Sequence, residues 1–142
     1  MNIKFSLKTD LNKQEVIDKS KLVLFHSMVK MHELATLFAP VDTGRLRSTI
    51  KLFPLEPGAK SYILADGVEY GIDVEYGTSP HYVSAKHLQG WAKRVLGSRA
   101  SAFAVAKKIS EKGTEAQPFF RPAMDQVKNV WVQRYWERDL AK

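Results

Sequence analysis

Between residues 12 and 39 the apolar side chains recur at helical spacing: Ile17, Leu24, Met28, Met31, Ala35 and Phe38 follow at intervals of seven, four and three. That rhythm stacks them on one face of an α-helix of 3.6 residues per turn. Leu22, Phe25 and Val29 widen the stripe, so the helix needs cover on more than one side, from its own sheet or from another subunit. Pro40 ends it, because proline disfavours helical geometry in the residue before it.

The pattern then changes. Asp42 is placed to cap a short helical turn by accepting the N–H groups two and three residues on. A strand is expected near Ser48 to Phe53, a turn at Pro54 to Gly58 and a second strand at Ser61 to Ala65. The clearest alternation runs from Val68 to Tyr76, where Val68, Tyr70, Ile72, Val74 and Tyr76 interleave with Glu69, Gly71, Asp73 and Glu75. It predicts a strand with one apolar and one acidic face. The expected fold class is therefore α+β: a long N-terminal helix packed on a small antiparallel sheet of three to four strands, with further helices in the C-terminal half.

In that second half Ala85, Leu88, Ala92 and Val95, with Trp91 beside them, predict an amphipathic helix to about Leu96, closed by Gly97. Ser101 to Lys112 can form another, although residues 97–117 as a whole read as a mobile loop or assembly segment. A last helix is expected after Arg121 with Pro122 at its first position, burying Met124, Val127, Trp131 and Tyr135. No linker, repeat or low-complexity stretch divides the 142 residues, which fit one domain.

Composition changes this picture in three ways. There is no cysteine, so a disulfide framework or thiolate metal site is excluded. Neither the opening residues, Met1 to Lys8, nor any later run has the apolar length of a signal peptide or membrane span, so the expected product is soluble, cytosolic when made and without a membrane partner. The net charge is +7, and residues 86–142 carry 12 basic against 5 acidic side chains whereas residues 1–85 carry ten of each. Such asymmetry marks a nucleic-acid contact, an acidic partner or a solvated basic face.

The search for chemistry yields little. Asp42-Thr43-Gly44 matches the aspartic-protease triplet, but Arg45 follows where a small residue is needed, and a turn is the simpler role. His32-Glu33 opens like a zinc-protease helix, yet position 36 is Thr and the second ligand is missing. Phosphate loops, dinucleotide fingerprints and nucleophile elbows are absent. No catalytic residue, metal or cofactor is expected. The basic set Lys86, Lys93, Arg94, Arg99, Lys107, Lys108 and Lys112 lies among Trp91 and Phe103 and supports a nucleic-acid-binding alternative; a dimeric aspartic protease is the third reading.

Three segments carry a more specific signal: Ala39-Pro-Val-Asp-Thr-Gly-Arg-Leu-Arg-Ser-Thr-Ile50, Val74-Glu-Tyr-Gly-Thr78 and Ala116-Gln-Pro-Phe-Phe-Arg-Pro-Ala123. In this order, with a long helix before and a helix after, they resemble the tail-completion and head-to-tail joining (neck) proteins of long-tailed, siphovirus-type bacteriophages. The resemblance covers most of the chain and rests on Pro40, Asp42, Thr43, Gly44, Leu46, Glu75, Gly77, Thr78, Pro118, Arg121 and Pro122. It implies a structural virion protein without catalysis, made in the bacterial host cytoplasm. It also implies assembly as a six-fold or twelve-fold ring that completes the tail or joins it to the head, beside neck, portal-side or tail-tube proteins. Non-specific DNA contact in the lumen is compatible with it.

Two further expectations come from the residues. Phe119 and Phe120, adjacent on an extended segment, should face opposite ways, one anchoring the core and one reaching a neighbour. Glu69, Asp73 and Glu75 on the acidic face should meet the basic Lys86 to Lys112 region of the next subunit, as head-to-tail contacts require.

Overall fold

The computed structural model of the chain describes residues 12–140; residues 1–8, read above for a leader, lie outside the described residues. Helix α1 spans Lys13–Phe38. Asn12 opens it by accepting the Gln14 N–H at 2.8 Å, which satisfies one of the donors a helix start leaves orphaned. At the other end Ala39 is already extended before Pro40. The guanidinium of Arg47 closes α1 by donating to the carbonyls of Ala39 at 2.8 Å and Leu37 at 3.2 Å.

A short helix, α2 (Arg45–Thr49), leads into an antiparallel hairpin of β1 (Lys51–Pro54) and β2 (Tyr62–Ala65). Leu52 pairs with Leu64 and Phe53 with Ile63. This hairpin is the whole sheet among the described residues, so the mixed α+β class holds with two strands rather than three or four. The missing strand is residues 68–76, which form a turn and helix α3 (Gly71–Tyr76). Asp66 turns the chain by accepting the Val68 N–H at 3.2 Å, and a Cβ at Gly71 would collide with the same carboxylate. Burial then follows helical spacing: Val68, Gly71, Val74 and Glu75 face inward, while Ile72 and Tyr76 face out. Packing has overridden a two-residue hydropathy period.

Helices α4 (Ala85–Leu96) and α5 (Ser101–Lys112) form an αα-hairpin that packs chiefly on itself. Only Ala92 and Ala102 are buried within it. Residues 97–117 thus hold at their centre the helix that the sequence allowed over Ser101 to Lys112.

The C-terminal rod consists of α6 (Phe120–Gln126), a π-helical turn (Val127–Trp131) and α7 (Val132–Leu140), and it lies along α1. It starts two residues earlier than the sequence indicated, making Pro122 its third residue. The wider π turn carries the inward line through Ala123, Val127, Trp131 and Tyr135, four residues apart. Met124, expected in that line, is 48% exposed. One core joins α1, α2, the hairpin, α3 and the rod, built from Leu34, Ala35, Leu46, Ile50, Phe119 and Val127. Phe119 is its largest fully buried side chain among the described residues. Replacing it by Ala should cost about 3–5 kcal/mol through lost transfer energy and the cavity left behind. A loss of under about 1 kcal/mol in a urea titration would show that the core does not close on this ring.

Candidate functional site

An α-helix leaves its first four backbone N–H groups without an intrahelical acceptor. At the start of α6 these belong to positions 119 to 122, and the fourth is proline, which has no N–H to satisfy. The other three all go to one carboxylate. Glu75, in the last turn of α3, accepts from Phe119 at 2.7 Å and Phe120 at 2.9 Å on Oε2, and from Arg121 at 3.0 Å on Oε1. The Arg121 side chain encloses the same group, its Nε donating to Oε1 at 3.0 Å and its Nη2 to the Glu75 carbonyl at 2.8 Å.

The Glu75 side chain is only 5% exposed. Burial on its own raises a carboxyl pKa; three N–H donors and a guanidinium outweigh it and hold Glu75 below its ordinary value. The positive end of the helix dipole acts in the same direction. Glu75 is therefore an internal clasp, which corrects the three-carboxylate surface patch expected from the sequence; Glu69 and Asp73 are exposed. The aromatic pair is corrected too. Phe119 caps the helix and Phe120 begins it, so their rings do not face opposite ways: the centroids lie 4.5 Å apart, with Phe119 buried and Phe120 packed against the core.

The second segment is fastened to the third beyond this clasp. Gly77 turns left-handed at φ 72°, and a Cβ there would strike the Thr114 carbonyl. Thr78 and Thr114 exchange backbone hydrogen bonds of 3.1 and 3.2 Å, and the Gln117 N–H donates to the Val74 carbonyl at 2.8 Å. This zipper delivers Pro118 to the point where Phe119 enters the core.

Asp42, in the first segment, caps nothing: the residue flanking the start of α2 is Gly44, left-handed at φ 81°, and no side chain caps the helix. Its carboxylate instead takes Arg94 of α4 in a bidentate pair at 2.7 and 2.6 Å. Each charge favours the other, lowering the Asp42 pKa and raising that of Arg94. Thr43 and Asp42, with Asp73, Thr78, Trp91 and Gln117, line a cleft of about 510 Å³ between the body and the α4–α5 hairpin. All three segments border this cleft, and Leu46 beneath it is core.

Three of the four histidines have polar partners within the fold, and His87 is exposed. His32 Nε2 lies 3.0 Å from the Ile50 carbonyl, His26 Nδ1 lies 3.2 Å from the Asp139 carboxylate, and His81 Nδ1 lies 2.9 Å from the Ser79 carbonyl. Among the described residues no group of three or more metal-ligating side chains comes together. The basic residues do gather. Lys86, Lys93 and Arg94 on α4, Arg99 in the link, and Lys107, Lys108 and Lys112 on α5 are all exposed. Glu111 is the single acidic residue between 85 and 112, so this hairpin holds a net +6 of the chain's +7.

The functional residues missed from sequence are Arg47 and Glu75 in its capping role. A helix closed by an arginine eight residues downstream, or started by a glutamate more than forty residues upstream, leaves no local signal.

Glu75→Gln should cost about 3 kcal/mol, since an amide offers one acceptor oxygen and turns its NH₂ toward buried donors. The pH dependence has a fixed sign. A carboxylate whose pKa is depressed by folding stabilises the fold above its unfolded pKa, and that stability is lost as pH falls through the folded value. Wild-type stability should therefore decline below the ordinary carboxylate range, and more steeply than that of Glu75→Gln. Parallel urea titrations of the two proteins between pH 7 and pH 3 decide it; equal slopes would remove Glu75 from this role.

Comparison of the chain with protein-family models, with curated proteins and with solved structures returns no match.

Proposed function

We propose that the chain is a structural virion protein of the phage head-to-tail interface, acting without catalysis as a ring subunit that completes the tail or joins it to the head. What carries the reading is the convergence of the three segments behind the family resemblance. They are dispersed between residues 39 and 123, yet Glu75 clasps the third, the Thr78–Thr114 bridge extends the clasp, and Asp42 closes the other side of the cleft. A motif set that serves only local turns has no reason to converge. One that builds a docking surface has.

The subunit also leaves large apolar side chains uncovered in rows. Ile72 is 71% exposed and Tyr76 63%, one turn apart on α3, beside the half-exposed Met124. Leu22, Phe25 and Val29, expected to be covered, form an exposed stripe on α1. Contiguous apolar surface of this kind marks association. In the proposed ring the α3 face, rimmed by Glu69 and Asp73, meets the adjacent subunit in a head-to-tail contact, and a neck, portal-side or tail-tube protein covers a second face.

Light scattering on the purified chain, then mixing with virion heads and tails that lack it, tests the reading. A defined ring, or a monomer that restores head-to-tail joining, is the expected outcome; a monomer inert toward both overturns it. Ile72→Lys with Met124→Lys should abolish assembly while leaving the thermal midpoint within about 2 °C, as surface substitutions do.

A further inference from the structure

We infer that the α4–α5 hairpin is a duplex-DNA contact that grips the phosphate backbone without reading base sequence. This goes beyond the ring reading and does not rest on it, because it stands on how the hairpin is built. Nearly all the chain's net charge is confined to these 28 residues, and the body is close to neutral. A charge imbalance spread by chance over a solvated surface would not be collected on one element.

The hairpin is also constructed to present that charge. Its helices close on two alanines, Ala92 and Ala102, so the long side chains are left outside. The body touches it mainly through the Asp42–Arg94 pair, the His81 N–H donated to the Ile109 carbonyl and the walls of the cleft, with the Thr78–Thr114 bridge just beyond the end of α5. Arg94 is committed to that pair, and Lys107 and Lys108 lean on Glu111 and Glu115 in exposed pairs at 3.9 and 3.3 Å. Such exposed pairs are weak and readily exchanged. Lys86, Lys93, Arg99 and Lys112 have no ion-pair partner among the described residues.

The geometry favours a nucleic acid over an acidic protein. A helix of twelve residues is about 18 Å long, and Lys86 and Lys93, seven apart, share one of its faces with Arg99 beyond its end. A row of that length has no acidic residue within it to fix the register of a protein partner. It suits a polymer that carries one charge per ~1.7 Å of axis and needs no register. The hydroxyls of Ser98 and Ser101 around the same hairpin add neutral donors of the kind that contact phosphate.

The test is fluorescence anisotropy of the full chain with a 30-base-pair duplex of random sequence across a salt series. Four free cations predict a slope of log K against log salt near −3.6, or about 150-fold loss of affinity from 50 to 200 mM. The quadruple variant Lys86→Gln, Lys93→Gln, Arg99→Gln, Lys112→Gln should weaken binding at least about tenfold at 100 mM and flatten the slope. The same charge change on the body, Lys13→Gln, Lys51→Gln, Lys60→Gln, Lys128→Gln, should alter it less than about threefold. Lys→Arg replacement at 86, 93 and 112 should preserve it. Equal weakening by the two quadruples would reduce the effect to overall charge and overturn the inference. So would a glutamate homopolymer that displaces the duplex at equal charge concentration, which would assign the hairpin to an acidic protein instead.

Discussion

A carboxylate buried at the start of a helix is tolerable only if its lone pairs are filled, and the helix start is tolerable only if its donors are. Glu75 and residues 119 to 121 solve each other's problem across 44 to 46 positions of sequence, and Pro122 removes the one donor that would have been left over. Much of the architecture follows. Phe119 enters the core because its N–H is held 2.7 Å from Oε2, and the rod of α6 and α7 takes its direction along α1 from that anchor. Residues 71–76 are helical because Glu75 must point inward together with Gly71 and Val74, which an extended strand cannot arrange: there 74 and 75 face opposite sides.

The sequence was legible where local physics decides and misleading where distant contacts do. Pro40 and Gly97 mark element ends within a residue, and the first hairpin falls where turn residues 54–58 separate two apolar runs. Residues 68–76 alternate as well as any strand, and Gly71 in their midst was the one local hint against it. The outward-facing Ile72 and Tyr76 produced that alternation, so an exposed apolar surface was read as a core. Met124 failed for a related reason: the period of 3.6 assumed for the last helix is broken by the π turn at Val127–Trp131. At the site, the three quoted segments were visible as words, but Asp42 to Arg94 and Glu75 to Arg121 are pairings that only the folded chain specifies.

Net charge is concentrated on one part of this molecule, whereas exposed apolar side chains occur on both. The body is near neutral and shows apolar rows on α1 and α3; the hairpin is strongly basic, buries only alanines and exposes Val95, Leu96 and Phe103. Apolar rows on a neutral body suit contacts between proteins, since no charge must be desolvated at their centre. A basic arm would oppose such contacts between identical copies, because bringing two hairpins together costs repulsion within a Debye length of about 8 Å.

That repulsion constrains any closed ring of this chain. Copies can pack through α3 only if their hairpins diverge, or if a polyanion sits between them and neutralises the accumulated charge. In the second case the ring and its contents are linked thermodynamically: a polyanion that binds the assembled hairpins more tightly than the separate ones must also favour assembly, by the same free energy. In such a ring the apolar faces of the body and the basic hairpin would be two halves of one equilibrium, tied together by the pair of Asp42 and Arg94 across the cleft.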